Sequence, residues 1–289
     1  MSNMTKRKRS GRTAGFEAKA RQKSSRRGRK ETDGAVWLYG GHAVLAAIRN
    51  KSREIQRLIL SSAGRGTFDV VLTEALAARA EVAPAPSAET LATQDFERTL
   101  PQGAVHQGIA ALCKPPPEYG LEVLQIKPGE TGSGAKRPVV ILDQVTDPQN
   151  VGAVLRSAAV FGARAVVTTD RHAPGATGAL AKAASGALET VPYVRVINLV
   201  RAMAEMRDMG FWLVGLDAGA EAPLSRAKGD GATALVLGAE GKGLRRLTAE
   251  NCDALARLPV AVSAAEAGID SLNVSAAAAV ALYELVREG

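Results

Sequence analysis

From Val139 onward the chain alternates short apolar runs with stretches of helical spacing, and this alternation constrains the fold more than any other feature. The apolar runs are "VVILD", "AVVTT", "VPYVRV", "FWLVGL", "ALVLG" and "LARLPV", and helices are predicted over 150–161, 176–188, 198–209 and the C-terminal residues. Continuous β-branched runs between helices are typical of strands buried on both faces. We therefore predict an α/β domain with a mostly parallel sheet covered by helices.

A smaller α/β unit is predicted ahead of it, over residues 36–114. There "GGHAVLAAIRN" and "FDVVLTEALAARA" have helical spacing, while "RLILS" and "GIAALC" are predicted strands. Residues 115–137 are rich in Pro, Gly and Ser and are predicted to be a linker. The expected organisation is a tail over 1–35, the small domain, the linker and a larger domain over 138–289.

The basic excess of the chain lies in its N-terminal tail. Residues 1–33 contain twelve of the 37 Lys and Arg residues but only three of the 29 Asp and Glu residues, so the remainder is close to neutral. This composition predicts a disordered segment. It fits an arm that binds nucleic acid, a solubilising extension or an organellar transit peptide, and the sequence leaves all three open.

Cysteine, histidine and apolar content exclude several classes of protein. Cys113 and Cys252 stand far apart, and His42, His106 and His172 do not cluster with them. This spacing argues against a disulfide framework and against a zinc site. The sequence contains no apolar run of the roughly 20 residues that span a bilayer. We expect a cytoplasmic protein that binds no metal and does not enter membranes.

Three loops at predicted strand ends are chemically unusual, and ligands of parallel α/β sheets bind at such ends. The first is "QVTDPQN", after "VVILD". Asp147 and Pro148 predict a turn, and Asn150 is predicted to cap the following helix. On that helix Arg156 lies outside the apolar stripe, one turn after Gly152. A simple helix start with a solvated arginine would give the same pattern.

The second loop, "GAEGKGL", has three glycines in six residues, which would let a backbone approach a ligand closely. Its order matches neither a P-loop, which needs Ser or Thr after Gly-Lys, nor the dinucleotide fingerprint G-x-G-x-x-G. Glu240 inside the loop would repel a phosphate, and it would suit a cationic ligand or a hydroxyl donor. The alternative is a tight turn with one exposed acid.

The third loop precedes the C-terminal helix, in "GIDSLNVSAAAAVALYEL". Ser271 and Asn273 lie at the predicted helix N-terminus, where backbone N–H groups lack partners within the helix. The alanines that follow make the helix thin, so another backbone can pack closely against it. An alanine-rich helix with a redundant cap would have the same composition.

Taken together, these loops resemble the SpoU family of RNA ribose 2′-O-methyltransferases, in the SPOUT superfamily. The resemblance covers roughly 138–287 through the ordered motifs "LDQVTDPQNVGAVLRSAAVFGA", "LVLGAEGKGLRRLTAENCD" and "LPVAVSAAEAGIDSLNVSAAAAVALYE". The region from "WLYGGHAVLAAI" to "HQGIAALC" is similar to the L30e-like substrate-binding domain of the ribosomal-RNA members. One departure is the segment "SAAEAGID", residues 263–270, which lengthens the usual connection before "SLNVS".

The resemblance implies an S-adenosylmethionine-dependent enzyme that works as a homodimer, with a deep trefoil knot in its catalytic domain. It implies that the methyl donor contacts Gly238, Leu258 and Leu272, mostly through backbone atoms. The residues that it implies around the reacting ribose are Asn150, Arg156, Glu240, Ser271 and Asn273.

Roles and substrate stay partly open at this point. Arg156 is either the general base or a clamp on a neighbouring phosphate, and the permanent positive charge of a guanidinium favours the clamp. Glu240 either takes the proton or fixes the ribose. The expected substrate is a guanosine of 23S rRNA in the peptidyl-transferase region. A transfer RNA is the alternative substrate, and a non-catalytic RNA-binding protein is the alternative class. The missing G-x-G-x-x-G loop excludes a nucleotide-dependent oxidoreductase.

Overall fold

The first of two sheets is mixed and joins four strands within the part of the chain that the computed structural model describes, residues 1, 34–261, 263 and 271–287. The strands are β1 (Val36–Tyr39), β2 (Ile55–Ser61), β3 (Ala88–Leu91) and β4 (Ile109–Cys113), in the order β1-β4-β2-β3. β4 pairs antiparallel with β1 and β2, whereas β2 and β3 are parallel. The helices of this part are α1 (Gly41–Arg49), α2 (Ser62–Ala80) and α3 (Thr93–Thr99).

The second sheet is larger, and its six strands in the described residues are all parallel. It consists of β5 (Val139–Asp143), β6 (Ala165–Thr169), β7 (Tyr193–Val196), β8 (Trp212–Leu216), β9 (Thr233–Gly238) and β10 (Ala254–Ala256). Their order across the sheet is β10-β8-β9-β5-β6-β7. The predicted parallel sheet is therefore confirmed. Because the chain winds outward from β5 on one side and returns to β9 on the other, the crevice for a ligand is expected between their carboxyl ends.

The larger sheet is accompanied by seven α-helices in the described residues. They are α4 (Gly132–Ala135), α5 (Pro148–Val160), α6 (Gly178–Ala183), α7 (Leu199–Asp208), α8 (Leu224–Ala227), α9 (Arg246–Glu250) and α10 (Val274–Val286). The buried stripe predicted for α5 is present, since its members, Val151, Val154, Leu155 and Ala158, are fully buried.

One predicted helix, 176–188, is wrong in its length. It ends at Ala183, because Ser185 and Gly186 take φ values of +49° and +93°, which an α-helix cannot contain. The turn brings the chain close to α1, since a Cβ added to Gly186 would lie 2.6 Å from the Cβ of Ala46. Glycine is needed at this position because of its contact with a distant helix. The sequence around Gly186 therefore does not predict where the helix ends.

The segment 115–137 is packed, although its composition is that of a linker. Leu124 is fully buried with Val139, Ile141 and Met203 in the apolar cluster on one face of the larger sheet. Glu130 in the same segment pairs with Arg164 at 2.8 Å. This segment therefore packs against the larger sheet.

The two sheets share one apolar core, and residues 36–289 form a single compact unit. One cluster of buried side chains includes Leu38 and Ile48 from the first sheet's part and Leu155 and Leu282 from the second's. Burial of apolar surface at about 25 cal/mol per Å² makes such a shared core the main force that holds the parts together.

A buried ion pair lies at the junction of the two parts. Arg53, in the turn after α1, is 3.5 Å from Glu189, and their side chains are only 2% and 4% exposed. Asn50 donates a hydrogen bond of 2.8 Å to the same carboxylate. Neighbouring Arg79 donates to the carbonyl oxygens of Ile48, Asn50 and Arg53, so the turn is itself tightly held.

No helix in the described ranges is long and apolar enough to cross a membrane, and these ranges contain no cluster of His, Cys, Asp or Glu that could hold a metal ion. The tail of residues 2–33 and most of the longer loop, 264–270, lie outside the described residues.

We expect Glu189→Ala to destabilise the protein by about 3–5 kcal/mol, because it leaves the buried guanidinium of Arg53 without a counter-charge. The measurement is the free energy of unfolding from urea denaturation. The double variant Arg53→Met with Glu189→Leu should regain most of the loss, since it removes both buried charges together. A cost below about 1 kcal/mol for Glu189→Ala would contradict the role of the pair.

Candidate active site

The carboxyl ends of β5 and β9 lie side by side, with Asp143 paired in register with Gly238. The loop after β5 leads into α5, and the loop after β9 contains Glu240. The start of α10 joins them, although it is more than a hundred residues from α5 along the chain. The three loops singled out in the sequence therefore meet at one edge of the sheet.

Asp143 anchors this edge. Its carboxylate is fully buried, accepts hydrogen bonds from the backbone N–H of Arg245 at 3.0 Å and from its Nε at 2.7 Å, and pairs with its guanidinium. Because Arg245 follows the glycine loop directly, the pair ties the loop's end to the last residue of β5. Neither residue was singled out in the sequence, although an Asp that closes an apolar strand is a visible signal.

The glycines of the loop serve its own closure. Gly241 and Gly243 have φ values of +72° and +64°, which L-residues rarely adopt. A Cβ on Gly238 would lie 2.1 Å from the carbonyl carbon of Gly243, because the loop folds back onto the strand end. The N–H of Gly243 donates to the oxygen of Ala239 at 2.9 Å. The loop's own closure therefore requires these glycines, and all three also line the cavity described below.

Asn150 does not cap its helix, contrary to the prediction. The N-cap of α5 is Asp147, whose side chain accepts from the N–H of Gln149 at 3.0 Å, and Pro148 takes the first helical position. Proline suits that position because its missing N–H would have no partner there. Asn150 lies in the first turn, and its amide is free to donate to Oε1 of Glu240 at 3.0 Å.

Asn273 completes what we call the polar cluster, Asn150, Glu240 and Asn273. It caps α10 by accepting from the N–H of Ser275 at 2.9 Å. Its Nδ2 donates to Oδ1 of Asn150 at 3.1 Å and also to Oε1 of Glu240. Both amides thus use one carboxylate oxygen of Glu240, and Oε2 has no hydrogen-bond partner among the described residues. That oxygen can accept a proton from a ligand, or a hydrogen bond that a ligand hydroxyl donates.

A cavity of about 460 Å³ opens beside the polar cluster, within the size range of small-molecule sites. Its charged side chains are Glu240, Lys242 and Asp217, which follows β8 and was not singled out in the sequence. Its wall contains five of the predicted site residues, namely Gly238, Glu240, Leu258, Ser271 and Leu272.

Arg156 lies apart from this cavity. It is exposed on α5 and lines a separate groove with His42, Arg49 and Lys51 of the first sheet's part. The fold therefore brings seven of the eight predicted site residues to the cavity or to the polar cluster. The eighth, Arg156, lies in the separate groove.

The alanine-rich C-terminal helix packs against a neighbouring helix, as its small side chains predict. α10 contacts α5, and Ala278 and Ala281 are fully buried. Near the end of α5 the ring of Tyr283 lies edge-on to Phe161, with centroids 6.3 Å apart. Small side chains on this helix therefore let its capped N-terminus reach the cluster.

Two family models match the chain. The model of the SpoU rRNA methylase family matches residues 137–283, and a model described as RNA 2′-O ribose methyltransferase substrate binding matches 37–119. The chain belongs to the SpoU rRNA methylase family. The resemblance seen in the sequence is thereby confirmed.

Two curated relatives align with this chain over nearly their whole length. The chain is 38% identical over 254 residues to 23S rRNA (guanosine-2′-O-)-methyltransferase RlmB of Ralstonia nicotianae, which covers 87% of this chain and 95% of that protein. It is 37% identical over 251 residues to the protein of the same name from Escherichia coli, with 87% and 98% covered.

A solved SpoU structure shares the fold. It is the SpoU methyltransferase AviRb from Streptomyces viridochromogenes in complex with the cofactor AdoMet, at a TM-score of 0.66 and 22% identity. The match covers 88% of this chain and 90% of that one.

The Asp143–Arg245 pair predicts an asymmetry between two variants. Arg245→Met should cost about 3 kcal/mol, because it leaves a fully buried carboxylate with a single backbone donor. Asp143→Asn should cost less, about 1–2 kcal/mol, because the arginine side chain is already 46% exposed and can turn to water. Urea denaturation measures both.

The matched control is Arg246→Met, since Arg246 pairs with Glu250 on the surface of α9 and is 77% exposed. This change should stay within about 0.5 kcal/mol. Equal costs for Arg245→Met and Arg246→Met would show that the buried pair does not hold the loop.

Proposed function

We propose that the protein is an S-adenosylmethionine-dependent RNA ribose 2′-O-methyltransferase that acts on a guanosine of 23S rRNA. The observation that carries the proposal is the polar cluster, which holds Glu240 at the mouth of the cavity through the amides of Asn150 and Asn273. The target follows from the two curated relatives, whose names specify guanosine of 23S rRNA.

The chemistry of the cavity fits the proposed cofactor. Glu240 and Asp217 give it two carboxylates against the single ammonium of Lys242, which suits a cationic sulfonium better than a polyphosphate. Gly238, Leu258 and Leu272 on its wall would hold the cofactor, and the bound cofactor would supply an activated methyl group. A protein of the same fold, AviRb, binds AdoMet.

Glu240 is the residue proposed to receive the ribose. Its Oε2 can accept the hydrogen of a 2′-hydroxyl, while the two amides on Oε1 fix the carboxylate in one orientation. Fixing the hydroxyl in line with the methyl group lowers the barrier through orientation, and removal of its proton adds a general-base contribution. The oxygen–carbon bond forms as the sulfur–carbon bond breaks, and the hydroxyl proton passes to Glu240 or onward to water.

Arg156 is proposed to bind a phosphate. A guanidinium is permanently charged, and its planar fork suits phosphate oxygens. Its exposed position away from the cofactor cavity fits contact with the RNA backbone better than proton transfer.

Other functions are less well supported. A transfer RNA substrate would use the same polar cluster, but the two relatives named above are enzymes of ribosomal RNA. A non-catalytic RNA-binding protein would not need a carboxylate held by two amides beside a cavity. A cytoplasmic location is proposed because ribosomal RNA is the expected substrate.

Within the chain, residues 36–114 are proposed to be an L30e-like substrate-binding domain, residues 115–137 its connection, and residues 138–289 the catalytic domain. The substrate-binding family match over 37–119 supports this division. The basic tail, residues 1–35, is proposed to add non-specific attraction for RNA through its positive charge. A deep trefoil knot is proposed for the catalytic domain, on the strength of family membership and of the return of α10 to α5 and β9.

A homodimer is proposed because α10 presents an apolar face without cover. Val280 and Tyr283 are 46% and 55% exposed on this helix, and Val286 is also exposed. Exposed apolar side chains grouped on one helix mark interaction surfaces, and in homo-oligomers the partner is a second copy of the same surface.

The proposed activity predicts that label from S-adenosylmethionine enters 23S rRNA at the 2′-oxygen of one guanosine, as mapped by ribose-methylation analysis. Titration calorimetry should show binding of S-adenosylmethionine and none of ATP, because the cavity carboxylates repel a triphosphate.

Glu240→Gln should lower the rate of transfer by about 10²–10⁴-fold. Glu250→Gln, at an exposed surface carboxylate, should retain it. Label that enters only transfer RNA would contradict the proposed target.

The proposed dimer predicts that the protein has twice its chain mass by light scattering. Val280→Glu with Tyr283→Glu should give a folded monomer, since both side chains are exposed and loss of the edge-on contact between Tyr283 and Phe161 costs only about 0.5–1.5 kcal/mol within one chain. Val70→Glu, at a 72% exposed valine on α2, is the control and should stay dimeric. A wild-type protein that is monomeric at micromolar concentration would refute the assembly.

A further inference from the structure

A second depression, here named the junction groove, lies where the two parts of the chain meet. Its volume is about 990 Å³, more than twice that of the cofactor cavity. Its walls come from α1 with the turn after it, from the second half of α5, and from residues 184–190. The titratable side chains that line it are His42, Arg49, Lys51, Arg156 and Glu189.

The charge of the junction groove is positive. Arg49, Lys51 and Arg156 are exposed, and none of them forms an ion pair within the described ranges. The one acidic side chain of the groove, Glu189, forms the buried ion pair with Arg53 and so does not offset these three charges. Three cations therefore face solvent in one groove without protein counter-charges.

Local structure explains only part of this pattern. Arg49 stands in the last turn of α1, where a cation offsets the partial negative charge of the helix end. Lys51 lies beyond that helix, and Arg156 belongs to α5. Like charges gathered from separate elements repel one another, so their arrangement calls for an anionic partner.

The arrangement suits a chain of phosphates better than a single anion. A small anion needs converging, largely buried donors, whereas these three cations are exposed and come from separate elements. α5 connects the groove to the polar cluster, because Asn150 in its first turn holds Glu240 and Arg156 lies about 9 Å further along the axis.

We propose that the junction groove binds the phosphates of the RNA strand next to the target nucleotide, with Arg49, Lys51 and Arg156 as the contacts. This inference rests on the proposed function and adds to it the surface that holds the RNA. The groove is built jointly by the substrate-binding and catalytic parts, so RNA bound there touches both.

The test compares full-length wild type with Arg49→Ala/Lys51→Ala for binding to a 23S rRNA transcript over a range of salt concentrations. If the pair neutralises two phosphates of a single strand, the slope of log affinity against log salt should flatten by about 1.4. The KM for RNA should rise while kcat at saturating RNA and the affinity for S-adenosylmethionine stay unchanged. Arg49→Lys should keep the wild-type slope, because it keeps the charge.

The matched control is Arg65→Ala/Arg98→Ala, which removes two exposed cations from the same part of the chain outside the groove. It should leave the slope unchanged, and the basic tail is present in every variant. An unaltered slope for Arg49→Ala/Lys51→Ala, or an equal change in the control, would overturn the inference. The binding measurement does not depend on methyl transfer. A flattened slope in a protein that transfers no methyl group would therefore keep the groove and reject the proposed function.

Discussion

The site depends on one buried carboxylate at the end of the central strand. Asp143 lies in a fully buried strand and holds Arg245 by backbone and side chain, which fixes the far end of the glycine loop. The near end is fixed by the pairing of β9 with β5. With both ends held, the loop places Glu240 against the amides of Asn150 and Asn273, which come from two other segments. The orientation of this carboxylate is therefore set by the folded edge of the sheet.

Much of this architecture could be read from the sequence. Apolar runs such as "VVILD" and "AVVTT" coincide with β5 and β6, because strands buried on both faces leave a continuous local pattern. Short elements such as β3, "AETL", left none, since its side chains are mostly exposed. The packing of Leu124 and the turn at Gly186 were also hidden, because both depend on contacts with distant segments.

The candidate site could be predicted in its members but not in its geometry. The motif resemblance grouped the eight residues, but only the fold shows that Arg156 lies apart from the cavity beside Glu240. The cap of α5 went to Asp147 because Pro148 fits the first helical position, and that shift is what frees Asn150 for Glu240. Asp143 and Arg245 lie 102 residues apart, so their partnership has no local signature at all.

Because of the buried pair of Arg53 and Glu189, the two parts of the chain cannot be exchanged independently of each other. Each charge is tolerable in the interior only because the other part of the chain supplies its partner. A substrate-recognition part grafted from a relative with different target preference would bring its own residue at the position of Arg53 and could strand Glu189 in the apolar interior. To exchange RNA specificity between such enzymes, by recombination or by design, the residues at positions 53 and 189 must therefore change together.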